Sequence, residues 1–299
     1  MWALLALTSA AGFGLVSVVD KRVLSRHLPG VSALILWGAL TIAVYVPVAL
    51  LITGVPADTP PKYLLAAFCS GLSLGVGLAL MFLGLRLGEA ARAVAIVQIY
   101  PVFVALLAAA FLEERLAPLQ WVAMALVVLG AMLVSLDAVP SGGSWMPGRG
   151  TPVLVASGLF AGLAYFSAKL ALGHLSVWTA FAVQQLGVLA VASVFARPRT
   201  WRQLGSALRR PATLSLLVVG EGLVPIAASV VAMAATSLGP VSLVTAFLAT
   251  RPLFVFIFAT ALSRTPWSIS DAPLAPRALV LKVAAIVMIV AGVAGVGLL

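Results

Sequence analysis

Along the 299 residues, apolar positions run in blocks of 16 to 23 separated by short polar stretches. A hydrocarbon core about 30 Å thick takes about 20 residues of helix at ~1.5 Å each. In lipid a helix satisfies its own backbone hydrogen bonds, whereas an open strand does not. The pattern therefore predicts ten transmembrane helices, over Trp2–Val19, Val31–Thr53, Tyr63–Leu85, Ala93–Phe111, Leu119–Leu136, Val153–Leu172, Val177–Phe195, Thr213–Ala235, Val241–Leu262 and Ala278–Leu299. Two of the turns, Gly173–Ser176 and Thr236–Pro240, are very short. The first block runs into Asp20-Lys21-Arg22 without a small-residue cleavage pattern, so it is expected to stay as a span. Between Arg197 and Pro211, Trp201, Leu204 and Leu208 recur at helical intervals among arginines, which predicts a short helix lying in the headgroup region.

Composition agrees with the pattern. The chain is 63% hydrophobic and 9% charged, with mean hydropathy +1.19, against about a quarter charged residues in a soluble domain. The fold class is an all-α integral membrane protein, multi-pass in the cytoplasmic membrane. A formal charge of +10 could suggest a nucleic-acid partner, but its placement argues for topology instead. Fourteen of the eighteen lysines and arginines fall in odd-numbered loops. Basic loops stay cytoplasmic, which puts both termini outside. The single cysteine, Cys69, lies inside a predicted span and forms no intramolecular disulfide.

The second half echoes the first. At an offset of 151, Leu87–Phe111 lies over Leu238–Leu262, sharing the Leu-Gly pair, Ala95/Ala246, Pro101/Pro252, Phe103/Phe254 and Val104/Val255. At an offset of 148, Ser9, Gly14, Leu15, Lys21 and Leu24 match Ser157, Gly162, Leu163, Lys169 and Leu172. Five spans is an odd number, so the second copy enters the membrane from the opposite side. The expected organisation is a first repeat over residues 1–137, a Gly- and Pro-rich linker over 138–152, and a second, inverted repeat over 153–299.

Five helices per repeat, with Tyr100–Val134 closing the first, resembles the drug/metabolite transporter superfamily and its EamA-type members. The motif residues are Pro101 in the fourth helix, Glu114-Arg115 just after it and Gly130 late in the fifth. Lys21 and Lys169, ending the first helix of each repeat, are also similar to the family pattern. The second copy departs from it, with Ser263-Arg264-Thr265 where the Glu-Arg pair would fall. The family's ten-helix members are drawn with both termini cytoplasmic, opposite to the charge placement here. The resemblance implies a ten-helix transporter fold, and export as the commoner direction; it does not specify a substrate.

Candidate chemistry lies inside the spans. Arginine at a helix centre costs ~2.5–3.5 kcal/mol on insertion scales, so Arg251 should face the bundle interior or a wet cavity. Glu221 reads as the only carboxylate well inside a span. The two lie at ~12 and ~16 Å from the same membrane face at ~1.5 Å per residue, close enough to meet. They form either a buried ion pair that fixes packing, or a site in which Arg251 binds a substrate carboxylate and Glu221 an amine or a proton. Pro252, next to Arg251, and its counterpart Pro101 are expected to kink their helices and free carbonyls beside the site. Tyr100 and Gln98 would supply hydrogen bonds from the opposite wall, with Tyr165 and Ser9 as further contacts; interhelical bonding is the plainer role for these last two. Gln184-Gln185 reads the same way, and Lys21 and Lys169 read as anchors near span ends. GLSLG (Gly71–Gly75) and GLFAG (Gly158–Gly162) permit close helix approach within the monomer or in a homodimer.

An enzyme finds little support. His27, His174 and Cys69 are scattered, and no metal-ligand spacing, phosphate-cradling loop or Ser/His/Asp grouping occurs. Glu113-Glu114 reads as a solvated surface pair. No cofactor and no metal are predicted; the partners are a small-molecule substrate and the lipid bilayer. The expected function is a secondary transporter exporting a small polar metabolite, such as an amino acid or related amphiphile, by alternating access, with Glu221 coupling a proton. Broad drug efflux and a lipid-carrier flippase or lipid-modifying protein are the alternatives.

Overall fold

A computed structural model describes residues 1–28, 30–55, 58–87, 95–135, 150–262, 265 and 276–297. Nearly all of them are helical. In chain order the helices are α1 Trp2–Arg26, α2 Val31–Thr53, α3 Pro61–Leu87, α4 Tyr100–Phe111, α5 Pro118–Ser135, α6 Thr151–Leu172, α7 Val177–Ala192, α8 Pro198–Leu208, α9 Pro211–Val218, α10 Val224–Leu238, α11 Val241–Leu248, α12 Arg251–Ala261 and α13 Pro276–Gly297. A wider π turn, Val219–Leu223, joins α9 to α10 in one span. Among the described residues, nine helical segments are long and apolar enough to cross a membrane, and Ala95–Phe111 is a shorter tenth. Linker residues 138–149, Gly88, Arg92 and the Ser263-Arg264 pair lie outside the described residues.

Local chemistry explains where the helices start and stop. Pro152, Pro198, Pro211 and Pro252 all sit in first turns, where a missing N–H costs nothing. Ser176 caps α7 by accepting the Thr179 N–H at 3.1 Å. Gly54 ends α2 at φ 66°, a conformation that favours glycine. The interfacial helix expected around Trp201 is α8, with Leu204 and Ala207 buried and Trp201 exposed. One boundary differs in a way that matters: α1 does not end at Val19 but runs to Arg26, so Asp20 belongs to the helix and not to a loop.

The halves interlock through corresponding contacts. Helix α3 packs along α6, α1 along α10, and α5 along α13. Ser157 donates to the Gly77 carbonyl at 2.7 Å and Ser9 to the Ala228 carbonyl at 2.8 Å, positions that match under the two sequence offsets. A Cβ at Gly14 would meet Phe254 Cβ at 2.7 Å, and one at Gly162 would meet Phe103 Cβ at 2.9 Å, again a matching pair. Gly71 and Gly75 meet Gln184 and Val191, and Gly158 and Gly162 meet Ile99 and Phe103, so both small-residue motifs act within the monomer. At the centre, every residue of α11 is buried.

Candidate functional site

Two interrupted helices set the site. The helical i→i+4 hydrogen-bond ladder gives way to i→i+3 turns around Gln98–Ile99 before α4 and around Ala249–Thr250 before α12, in corresponding places. Pro101 and Pro252, the second residues of the segments that follow, have no N–H with which to continue that ladder. The breaks touch: the Gln98 side chain donates to the Ala249 carbonyl at 2.9 Å. Tyr100 donates to the Thr245 carbonyl at 3.2 Å and stacks on Tyr165, with ring centroids 5.6 Å apart.

Arg251 opens α12, ten residues and about 15 Å into its span at ~1.5 Å per residue. Its Nε and Nη2 donate to Ser17 Oγ at 2.9 and 2.5 Å, and its guanidinium lies 5.5 Å from the Phe13 ring centroid. This position depends on Gly14, which lets α1 approach α12 one turn before Ser17. Arg251 is only partly buried, and its charge reaches Tyr100 and Tyr165 as well as the carboxyl groups of Asp20 and Glu221.

Glu221 is the middle residue of the π turn, between Gly220 and Gly222. Such turns widen a helix by one residue and often mark functional positions. A Cβ at Gly220 would meet Val19 Cγ1 at 2.6 Å; its absence brings α1 close and sets Asp20, the next residue, within hydrogen-bonding reach of Glu221. Two carboxyl groups this close are able to share a proton. Glu221 Oε1 is buried without a protein partner. The site thus combines one cation, two carboxyl groups and an aromatic wall, an arrangement able to bind a zwitterion or to exchange a proton.

Residues 1–136 match the EamA-like transporter family. The first half of the chain is EamA-like. A relative from Sinorhizobium sp, described as an uncharacterized transporter in the cobO 3′ region, is 28% identical over 140 residues, covering 45% of this chain and 96% of its own length. A solved crystal structure superposes with a TM-score of 0.71 at 17% identity, over 99% of this chain and 96% of that one, which speaks for the fold alone. The chain has the build of a multi-pass membrane protein, and its first half is similar to the EamA-like transporters.

Two of the EamA motif residues have structural work at the opposite end of the bundle from the Arg-rich loops. Glu114 accepts the Val241 N–H at 2.8 Å, the Ser242 N–H at 3.3 Å and the Ser242 hydroxyl at 2.7 Å, capping α11 from the other half. Lys169 donates to the Thr236 and Gly239 carbonyls at 2.8 and 2.7 Å, closing the end of α10. Glu114 is therefore not a solvated surface acid, and Lys169 does not reach out to the interface.

Of the residues anticipated from sequence, Arg251, Glu221, Tyr100 and Tyr165 share one neighbourhood. Gln98 is bonded across the helix breaks, and Ser9 is fully buried against α10 with its hydroxyl engaged, so it faces packing and not the site. Glu221 and Arg251 do not form a direct pair: Arg251 bonds Ser17, and Asp20 lies beside Glu221. Asp20 overturns the expectation of a single intramembrane carboxylate. Asp20, Ser17 and Phe13 were missed because hydropathy ends the first block at Val19. Their spacing, at i, i+4 and i+7 from Phe13, is the stripe of one helix face and was the available signal.

Proposed function

We propose that this EamA-like transporter exports a small polar metabolite, an amino acid or related amphiphile, across the cytoplasmic membrane by alternating access of two inverted repeats, residues 1–137 and 153–299. The observation that carries the reading is the meeting of Arg251, Asp20 and Glu221 beside interrupted helices at mid-span. Ionisable groups at that depth are costly and need a use. Arg251 offers a planar pair of donors to a substrate carboxylate once Ser17 yields. The carboxyl pair offers acceptors to a substrate amine when deprotonated, and is neutralised by protons when the substrate leaves. Glu221 couples the proton. Tyr100 and Tyr165 form the facing wall, Gln98 holds the breaks together, and Pro101 and Pro252 fix where the helices resume. Half-helix starts beside a mid-membrane charge are the recurrent way transporters build such sites.

Reconstituted protein tests this directly. With amino-acid substrates, Glu221→Gln is expected to abolish uptake driven by a pH gradient while leaving counterflow exchange. Unchanged gradient dependence would remove Glu221 from coupling. Failure of every zwitterionic compound to raise the melting temperature of the purified protein would remove the substrate class.

A further inference from the structure

Away from the central site, a cavity of about 380 Å³ opens between the end of α1 and the α8–α9 corner. It is lined by Ser25, Arg26, His27, Leu28, Ser206, Ala207 and Arg210. At ~30 Å³ of liquid volume per water, this is space for about a dozen waters, ample for a glycerophosphate group. Arg26 lines it from the end of α1 and Arg210 from the turn between α8 and α9, and neither guanidinium has a hydrogen-bonding or ionic partner among the described residues. His27 binds Thr213 Oγ1 through Nδ1 at 2.9 Å, which leaves Nε2 unengaged. Burial, and after it Arg22, Arg210 and Arg26, hold the His27 imidazole below the ordinary histidine range.

The place of the cavity narrows its ligand. Helix α8 lies along the bundle with Leu204 and Ala207 buried and with Trp201, Arg197, Arg199 and Arg202 exposed, the build of a helix at headgroup depth. Lipid phosphates lie at that depth, and the cytoplasmic leaflet carries the anionic ones. No carboxylate lines the cavity to receive the ammonium of a zwitterionic headgroup, and its one ring, the His27 imidazole, is tied to Thr213 with no Phe, Tyr or Trp beside it to sandwich a nucleobase. We propose that this cavity binds the phosphate of an anionic phospholipid, gripped between Arg26 and Arg210. The site is separate from the transport site and does not depend on which solute is carried.

Purified protein in detergent, offered phosphatidylglycerol, phosphatidylcholine, inorganic phosphate or glycerol 3-phosphate, tests the proposal by native mass spectrometry and thermal shift. Phosphatidylglycerol is expected to be retained and to raise the melting temperature, phosphatidylcholine to do neither, and the soluble phosphates to have no effect at millimolar concentration. The double variant Arg26→Gln/Arg210→Gln should weaken retention roughly tenfold or more, as loss of charge-assisted bonds implies. Arg197→Gln/Arg199→Gln removes the same charge from the same surface outside the cavity and should keep it. Equal loss in both double variants would mean diffuse attraction to a basic face and overturn the site. Equal retention of both lipids would overturn it too, and protection by the soluble phosphates would replace the lipid with a free anion.

Discussion

Two corresponding neighbourhoods of this molecule have diverged. Under the sequence offsets, Arg251 and Ser17 correspond to Tyr100 and Tyr165, and Glu221 and Asp20 to Ser70 and Ala168. On one side a guanidinium bonds a hydroxyl beside two carboxyl groups. On the other, two tyrosines stack, and Ser70 donates to the Ala164 carbonyl at 2.7 Å while accepting from Gln184 at 2.7 Å. The backbones match, yet the charged side chains all fall in one of the two neighbourhoods, each of which draws on both repeats. The neutral neighbourhood satisfies its polar atoms with protein; the charged one leaves Glu221 Oε1 without a partner among the described residues. A buried group without a partner costs free energy that a ligand or proton would relieve. On the proposed reading, function is concentrated on one side, and the other acts as its scaffold.

Breaking the charged side should therefore cost transport, while trimming the neutral side should cost little. Arg251→Gln removes a charged donor and is expected to lower substrate affinity roughly tenfold to a hundredfold, the worth of about 1.4 to 2.8 kcal/mol of charge-assisted bonding. Tyr100→Phe removes only its bond to the Thr245 carbonyl, about 1 kcal/mol, and keeps the stack on Tyr165. Binding of a zwitterionic substrate measured by calorimetry separates the two; equal losses would mean that the neutral side also holds the ligand.

The seams around these neighbourhoods differ as well. Helices α3 and α7 pack along their length with backbone contact at Gly71 and Gly187, where a Cβ on either glycine would overlap the opposing main chain. The corresponding seam, between α2 and the π turn, touches at few residues, and a Cβ at Gly222 would meet only Leu217 O at 3.5 Å and Thr41 Cγ2 at 3.8 Å. The tight seam lies toward the end closed by Glu114 and Lys169, and the loose one toward the Arg-rich face. Gly71→Ala is thus expected to destabilise by about 3 kcal/mol, as overpacking of a tight contact does. Gly222→Ala should be close to neutral. Thermal unfolding in detergent reads both, and a transport defect confined to a larger Gly222 side chain would identify the loose seam as one that closes during the cycle.

Much of this fold was legible because lipid imposes a simple rule, a length of apolar helix for each crossing. The nine long apolar helices, the shorter one at Ala95–Phe111 and the amphipathic helix at Trp201 follow from block length and spacing alone. The site was legible only where a charge interrupted an apolar block, as at Glu221 and Arg251. Asp20 escaped because it sits at the edge of its block, where hydropathy cannot tell a helix that continues from a loop. Its burial depends on Gly220 letting α1 close on the π turn, a tertiary contact with no local pattern. Glu114 escaped for the same reason: its partners, Val241 and Ser242, are supplied by the other half.

The smallest expected difference lies at the ends of the two first helices. His27 occupies the place that buried Leu175 takes in the other half, and it faces Arg22, Arg26 and Arg210. Burial and those three guanidiniums put its folded-state pKa below the ordinary value of 6.5. A histidine depressed on folding binds a proton more readily when unfolded, so stability is full above that ordinary value and declines as the pH falls through and below it. The melting temperature should therefore fall slightly between pH 7.5 and 5.5, by less than the change produced by Gly71→Ala, because the ring is largely open to solvent screening. His27→Leu, which installs the residue of the other half, should remove that part of the slope. A bound phospholipid phosphate would supply a counter-charge and flatten the slope in the unaltered protein as well. The pH dependence in detergent with and without phosphatidylglycerol therefore reports on the same three arginines by a route independent of lipid retention.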